Sequence, residues 1–193
     1  LDTRQSAYTA FFDACVFYPA PLRDLLIQLA TTGLFRAKWT NQIHDEWIRN
    51  LLANRPDLDK EKLQRTRTLM NESVMDCLVT GYEQLIPCVD LPDPNDRHVL
   101  AAAIVSRSDA IVTTNLKHFP MEKLAPFNIE PIHPDEFIFN QFGLNQAKVI
   151  TAVGKIRSRL RNPELNSEEY LSKLLKLELS KTVKALETFI DVI

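Results

Sequence analysis

Four short, nearly unbroken apolar runs, separated by stretches of helical periodicity, constrain this fold most. They lie at 8–12, 84–89, 110–114 and 129–132. Strands buried on both faces read as continuous apolar runs rather than alternating ones. Between them, Leu22, Leu25, Leu26 and Leu29 fall at helical spacing over 22–32, with Gly33 as the stop. Ile43, Trp47 and Leu51 recur at period four over 40–54, with Thr40 or Asn41 as N-cap. A longer helix is predicted over 59–79, an apolar, Ala-rich one over 99–104, and a short one over 121–126. Strands alternating with helices in this way predict an α/β fold, a parallel sheet sandwiched between helices. From 134 onward strand signals stop, and 134–142, 146–160, 168–177 and 180–191 all read as helices. The chain therefore divides into an α/β unit over 1–133 and an all-α C-terminal extension over 134–193.

Composition narrows the function classes. The 193 residues are 45% hydrophobic and 25% charged, as expected of a folded domain with an appendage. The net charge of −2 carries no global basic signature, so an RNA partner would have to be drawn by local patches and bound metal. Cys15, Cys77 and Cys88 match no zinc spacing, and their odd number argues against a disulfide framework. Reduced thiols fit a cytoplasmic protein. Residues 1–5 show no apolar leader core, and no segment approaches the ~18 continuous apolar residues of a membrane span. Neither export nor membrane insertion is expected.

Carboxylates at element ends carry the chemistry. Asp13 directly follows the apolar run 8–12. In an open parallel sheet, ligands bind beyond the carboxyl ends of strands, and a carboxylate there is costly to desolvate unless a cation meets it. A helix-capping role explains the same position equally well. Asp93 and Asp96 precede the Ala-rich helix. Asp93, before Pro94, suits the cap, which leaves Asp96, one turn from Val99, facing the sheet edge. Glu46 flanks the apolar face of Ile43 and Trp47, and Asp45 lies farther off it. Asn115 follows the third run as Asp13 follows the first. If these groups converge, an oxygen-rich cluster without His or Cys suits a hard cation, Mg²⁺ or Mn²⁺, and phosphodiester hydrolysis.

Read in order, these residues resemble a PIN domain, the nuclease fold of VapC-type toxins. The likeness begins at Phe11-Phe12-Asp13-Ala14-Cys15-Val16-Phe17 and continues through Ile43-His44-Asp45-Glu46-Trp47. It is most specific in Asp93-Pro94-Asn95-Asp96-Arg97-His98-Val99-Leu100-Ala101-Ala102-Ala103 and in Asp109-Ala110-Ile111-Val112-Thr113-Thr114-Asn115-Leu116-Lys117-His118-Phe119-Pro120. It covers about 8–133. The segment with His133-Pro134-Asp135-Glu136-Phe137, and with Asn162-Pro163 before Ser167-Glu168-Glu169-Tyr170-Leu171, resembles the helical extension of a longer VapC-like subgroup.

The resemblance implies a PIN-like α/β/α sandwich and an Mg²⁺- or Mn²⁺-dependent endoribonuclease leaving 5′-phosphate ends. It also implies an RNA substrate (tRNA, rRNA or mRNA), a cognate antitoxin and a homodimer. The family's first three acids map onto Asp13, Glu46 and Asp96, which become the expected metal ligands. The fourth maps onto Asn115, or onto His118 in an alternative alignment, and neither is a carboxylate. That departure favours a single tightly held ion, and leaves a catalytically weak or inactive RNA- or protein-binding module as the alternative. A haloacid-dehalogenase-type phosphatase would need a second Asp at position 15, which is Cys.

Arg97, Lys117 and His118 flank the expected site. Arg36 and Lys38 beside Trp39 could hold phosphate and stack a base, although a surface turn with a buried Trp explains that set more simply. Lys155, Arg157, Arg159 and Arg161 form a basic run in the extension, read as a solvated helix face.

Overall fold

Four parallel strands form one sheet in the order β2-β1-β3-β4: β1 (Thr9–Phe12), β2 (Arg36–Lys38), β3 (Ala110–Val112) and β4 (Glu130–Ile132). The computed structural model describes residues 8–161 and 163–193. The expectation for residues 1–5 and the Asn162 of the extension motif lie outside the described residues. In register, Ala10 pairs with Ala37 on one side and Ala110 on the other, and Ala110 pairs in turn with Glu130. Both central strands are buried along their length, as their unbroken apolar sequences require.

Helices α1 (Ala14–Phe17) and α2 (Ala20–Ala30) connect β1 to β2. Helices α3 (Asn41–Asn54), α4 (Lys60–Ser73) and α5 (Arg97–Val105) lead from β2 to β3, and α6 (Met121–Leu124) precedes β4. Thr40 caps α3 by accepting from the Ile43 N–H at 3.1 Å. Ala101, Ala102 and Ala103 of α5 are fully buried, and their small side chains let the helix approach β1 and β3 closely. The crossover from β2 to β3 passes β1, so the chain leaves β1 and β3 in opposite directions along the sheet. Between these two strands lies the switch point at which such sheets bind ligands.

Three local expectations are corrected. Residues 84–89 are not a strand: a 3₁₀ helix, Glu83–Cys88, replaces it. Pro87 lacks the N–H that a ladder needs. The helix expected over 59–79 ends at Ser73, and Asp76 takes a left-handed backbone with φ 56°. The chain then returns beside Trp39, whose N–H donates to the Cys77 carbonyl and whose carbonyl accepts from Val79, each at 2.9 Å. Those donors and acceptors serve the sheet side instead of a continued helix. Finally, Arg36–Lys38 is a strand paired with β1 rather than a surface turn.

The remaining helices, α7 (Pro134–Leu144), α8 (Gln146–Arg159), α9 (Ser167–Leu175) and α10 (Ser180–Glu187), follow β4. One apolar core runs through both parts of the chain, from Phe12 and Phe35 to Phe137, Val153 and Leu186. Asp135 ties the extension together. Its carboxylate is buried and accepts from the Lys181 and Thr182 N–H groups at 2.9 and 2.8 Å, at the start of α10. In the basic run, Arg157 donates to the Ile193 carbonyl and Arg159 to Gln28, so part of that face is structural. No helix among the described residues is long and apolar enough to cross a membrane.

Candidate active site

Asp13 follows β1 and Thr113 follows β3, so neighbouring strands deliver them to the same edge of the sheet. Asp13 is 5% exposed. Its Oδ1 accepts from the Ala14 N–H at 2.6 Å, and its Oδ2 from the Thr113 hydroxyl at 2.8 Å and the Cys15 thiol at 3.0 Å. The capping role anticipated for it is real, because Asp13 is the N-cap of α1. A one-turn helix needs no carboxylate so deeply buried, and the Thr113 hydroxyl fixes the group's direction. Burial, with the Asp13 charge adding to it, pushes the Cys15 thiol up to about 12, so it stays a neutral donor.

Asp93 accepts from the Asn95 N–H at 2.9 Å and is the cap, whereas Asp96 makes no side-chain capping bond to α5. Asp96 is half-buried and instead meets His118, with Nδ1 2.8 Å from Oδ2. Burial raises its pKa. The hydrogen bond from His118 opposes that shift, while the charges of Asp13 and Asp93 add to it. Asp13 and Asp96 therefore face each other across the site as like charges. Glu46 of α3 reaches α5, where its Oε1 lies 2.8 Å from Nε2 of His98, a residue only 3% exposed. Neither ring nitrogen of His98 is aligned for a hydrogen bond among the described residues.

The structure thus places Asp13, Glu46 and Asp96 around the carboxyl edge of the sheet, two of them against histidines. Among the described residues, the group whose ligand atoms all lie within 4.8 Å of one another is Asp93, Asp96 and His118. The Asn115 side chain is exposed and makes no hydrogen bond among the described residues, while its backbone N–H donates to Thr113 Oγ1 at 3.0 Å. Thr113, not Asn115, orients Asp13. Position alone could not separate two polar residues at one strand end. The place of His98 on the apolar stripe that continues through Val99 to Ala103 was the available sign of its burial.

Of the other expected contacts, Lys117 is exposed. Arg97 reaches Asp90 at 3.3 Å. Arg36 is exposed on β2, while Lys38 is tied to the Asp76 carboxylate at 2.8 Å and Trp39 is fully buried. A separate cavity of about 520 Å³ opens between α2, α4 and α8, beside Asp24, Ile27, Leu69 and Ile156, and none of Asp13, Glu46, Asp93 and Asp96 lines it.

With this geometry in place, the chain was compared with known proteins. The family described as "PIN domain" matches residues 9–117, more than half of the chain and all of the acidic edge. The chain belongs to the PIN-domain family. The description "VapC50 C-terminal domain" matches residues 134–188 of the extension. A curated relative, "Putative ribonuclease VapC50" of Mycobacterium tuberculosis (strain ATCC 25618 / H37Rv), is 50% identical over 64 residues. That stretch spans 33% of this chain and 37% of the relative. No solved structure gives a significant match. In this PIN domain the first acid directly follows β1, the helical acid is on α3 and the third lies just before α5, and the edge after β3 carries Thr113 and His118 in place of a further carboxylate.

Proposed function

We propose that this PIN-domain chain is a divalent-metal-dependent endoribonuclease acting as the toxin of a toxin–antitoxin pair. The observation that carries the reading is the gathering of Asp13, Asp93 and Asp96 at one capped sheet edge, where burial first, and the charges of Asp13 and Asp93 with it, raise the pKa of Asp96. Like charges gathered at a strand switch point are costly unless a cation relieves them. The donor set fits that cation: oxygen atoms of Asp93 and Asp96 lie within 4.8 Å of each other, and the Asp13 charge is near enough to be felt at Asp96. Asp13, Asp96 and Glu46 would hold Mg²⁺ or Mn²⁺, Glu46 directly or through water.

When bound, such an ion neutralises phosphate charge and makes water a nucleophile at neutral pH. The chain's own groups set the geometry. Three donors lock the Asp13 carboxylate in one orientation, so no reorganisation is needed when substrate arrives. Lys117 and Arg97 flank the site and hold backbone phosphates, whereas Arg36, in register with Thr9 at the amino end of the sheet, stands away from it. Cleavage between phosphorus and the 3′ oxygen leaves a 5′-phosphate and does not use the ribose 2′-hydroxyl. The relative's name, ribonuclease, supports RNA as substrate. A cognate antitoxin, a cytoplasmic location, a homodimer, and division into a nuclease domain over 1–133 and an extension over 134–193 belong to the same proposal.

The purified 193-residue chain with Mn²⁺ or Mg²⁺ is expected to cut a pool of tRNA and rRNA to 5′-phosphate ends, and Asp13→Asn is expected not to. Intact RNA in every metal, with Asp13→Asn and wild type equally harmless in cells, would overturn the reading. It would favour a binding module, the alternative that Asn115 in place of a fourth acid supports.

A further inference from the structure

His118 stands where the acidic edge of the sheet has no fourth carboxylate. It follows β3 in a 3₁₀ turn, Leu116–His118, and presents Nδ1 to Asp96. Two explanations compete for that contact. An imidazole can act as a counter-charge that must leave when a metal enters, or as a donor that stays and binds the metal.

The distances favour the second. Donor atoms on adjacent vertices of an octahedron with bonds of about 2.1 Å lie about 3.0 Å apart, and opposite vertices lie about 4.2 Å apart. Asp96 Oδ2 and His118 Nδ1 are 2.8 Å apart, and the Asp93, Asp96 and His118 ligand atoms are all within 4.8 Å of one another. Asp96 and His118 therefore already stand at the spacing of adjacent vertices, and a group within 4.8 Å needs to contract by no more than about 0.6 Å to close on one ion. Side-chain exposures of 30% for His118 and 22% for Asp96 leave an entry path.

Ligand chemistry then gives the consequence. Mg²⁺ demands oxygen donors and keeps its water, whereas transition-metal ions accept imidazole nitrogen. We propose that His118 is a metal ligand of this site, joining Asp93 and Asp96 on one ion, and that its nitrogen makes the site select Mn²⁺ over Mg²⁺. This rests on the metal-dependent reading above and adds two ligands, Asp93 and His118, and an ion preference to it. The histidine replaces a charge, so it sets selectivity without restoring the missing negative charge.

The test is Mn²⁺ binding to the 193-residue chain, followed by the loss of free-Mn²⁺ electron paramagnetic resonance signal. Electron spin echo modulation of the bound ion reads the nitrogen directly, and circular dichroism confirms that each variant is folded. Wild type is expected to show ¹⁴N coupling to bound Mn²⁺ and to bind Mn²⁺ more tightly than Mg²⁺. His118→Ala is expected to lose the coupling and about tenfold in Mn²⁺ affinity. His118→Asp is expected to regain affinity without the coupling and to shift preference toward Mg²⁺. Bound Mn²⁺ without ¹⁴N coupling, coupling that survives in His118→Ala, or equal or tighter binding by that variant overturns the ligand role alone and makes His118 a counter-charge to Asp96. Folded wild type that binds neither ion overturns the metal-dependent reading as well.

Discussion

The Phe137 ring on α7 meets the Phe12 ring on β1 edge-on, with centroids 5.6 Å apart and planes at 85°. Phe137 also packs on Phe35, at 4.8 Å and 77°, so a residue of the helical extension closes the core of the sheet. Phe12 ends one residue before Asp13, and disturbance of this cluster would reach the site. Phe137→Ala is expected to cost about 3–5 kcal/mol, the range for an aromatic ring lost from a packed core. Urea denaturation should show one transition at a lower midpoint, reported alike by signals from both parts of the chain. Two separated transitions, with only the extension destabilised, would show that the extension folds apart from the sheet.

His44 gives the protein a built-in acid sensitivity. It is fully buried on α3, accepts from Trp47 Nε1 through Nδ1 at 3.0 Å, and donates through Nε2 to Asn71 at 2.9 Å. Asn71 Oδ1 also accepts from Trp39 at 2.8 Å. Protonation of Nδ1 would break the Trp47 bond and bury a charge. Burial accordingly lowers the pKa from the ordinary 6.5 to about 4, despite the opposing bond to Asn71. Between those values the unfolded chain binds a proton that the folded chain refuses. Stability from this group is complete above pH 6.5, falls as pH drops and levels off below about 4, for a total on the order of 3 kcal/mol. Between pH 7 and 5, wild type is expected to lose about 2 kcal/mol more than His44→Gln in urea titrations. Equal losses in the two proteins would remove His44 from the account.

Thr113 positions Asp13, and the same hydroxyl accepts from the Asn115 N–H at 3.0 Å. Thr113→Val removes the hydroxyl that reaches Oδ2 at 2.8 Å while keeping the shape. Losing such a partner of a metal-binding carboxylate costs about 10–100-fold in activity or metal affinity. Thr113→Ser should recover most of it, which a merely structural role for the β-branched side chain would not allow. Steady-state cleavage and Mn²⁺ titration of both variants check this.

The sequence made some of this legible and hid the rest for physical reasons. β1 and β3 were readable because central parallel strands are buried on both faces. β2 was not, because it is a three-residue edge strand that carries two cations, exposed Arg36 and the Asp76-paired Lys38, and whose partner lies 27 residues away in register. The run 84–89 misled because apolarity alone does not distinguish a strand from a 3₁₀ helix packed on α5. At the site, the order of Asp13, Glu46 and Asp96 was informative, and the choice of Asp93 as cap followed from Pro94. The histidine contacts were invisible, since His98 and His118 meet Glu46 and Asp96 only through the packing of α3, α5 and the turn after β3.

Asp96 should display the conflict between stability and function most clearly. Its pKa is raised by burial, and the Asp13 and Asp93 charges add to the shift, so at neutral pH the fold holds a carboxylate that it would rather have neutral. Asp96→Asn removes that charge and keeps an oxygen to accept from His118 Nδ1. Most substitutions of half-buried residues destabilise, but this one is expected to leave the melting temperature unchanged or raise it by a few degrees, about 1 kcal/mol or less. RNA cleavage is expected to fall at least about 100-fold, because the residue that would hold the ion is gone. Thermal melts and cleavage assays on the same preparations separate the two effects. A melting temperature well below wild type would mean that the His118–Asp96 contact contributes more to folding than the crowding of charges costs, and Asp96 would then be read first as a structural residue.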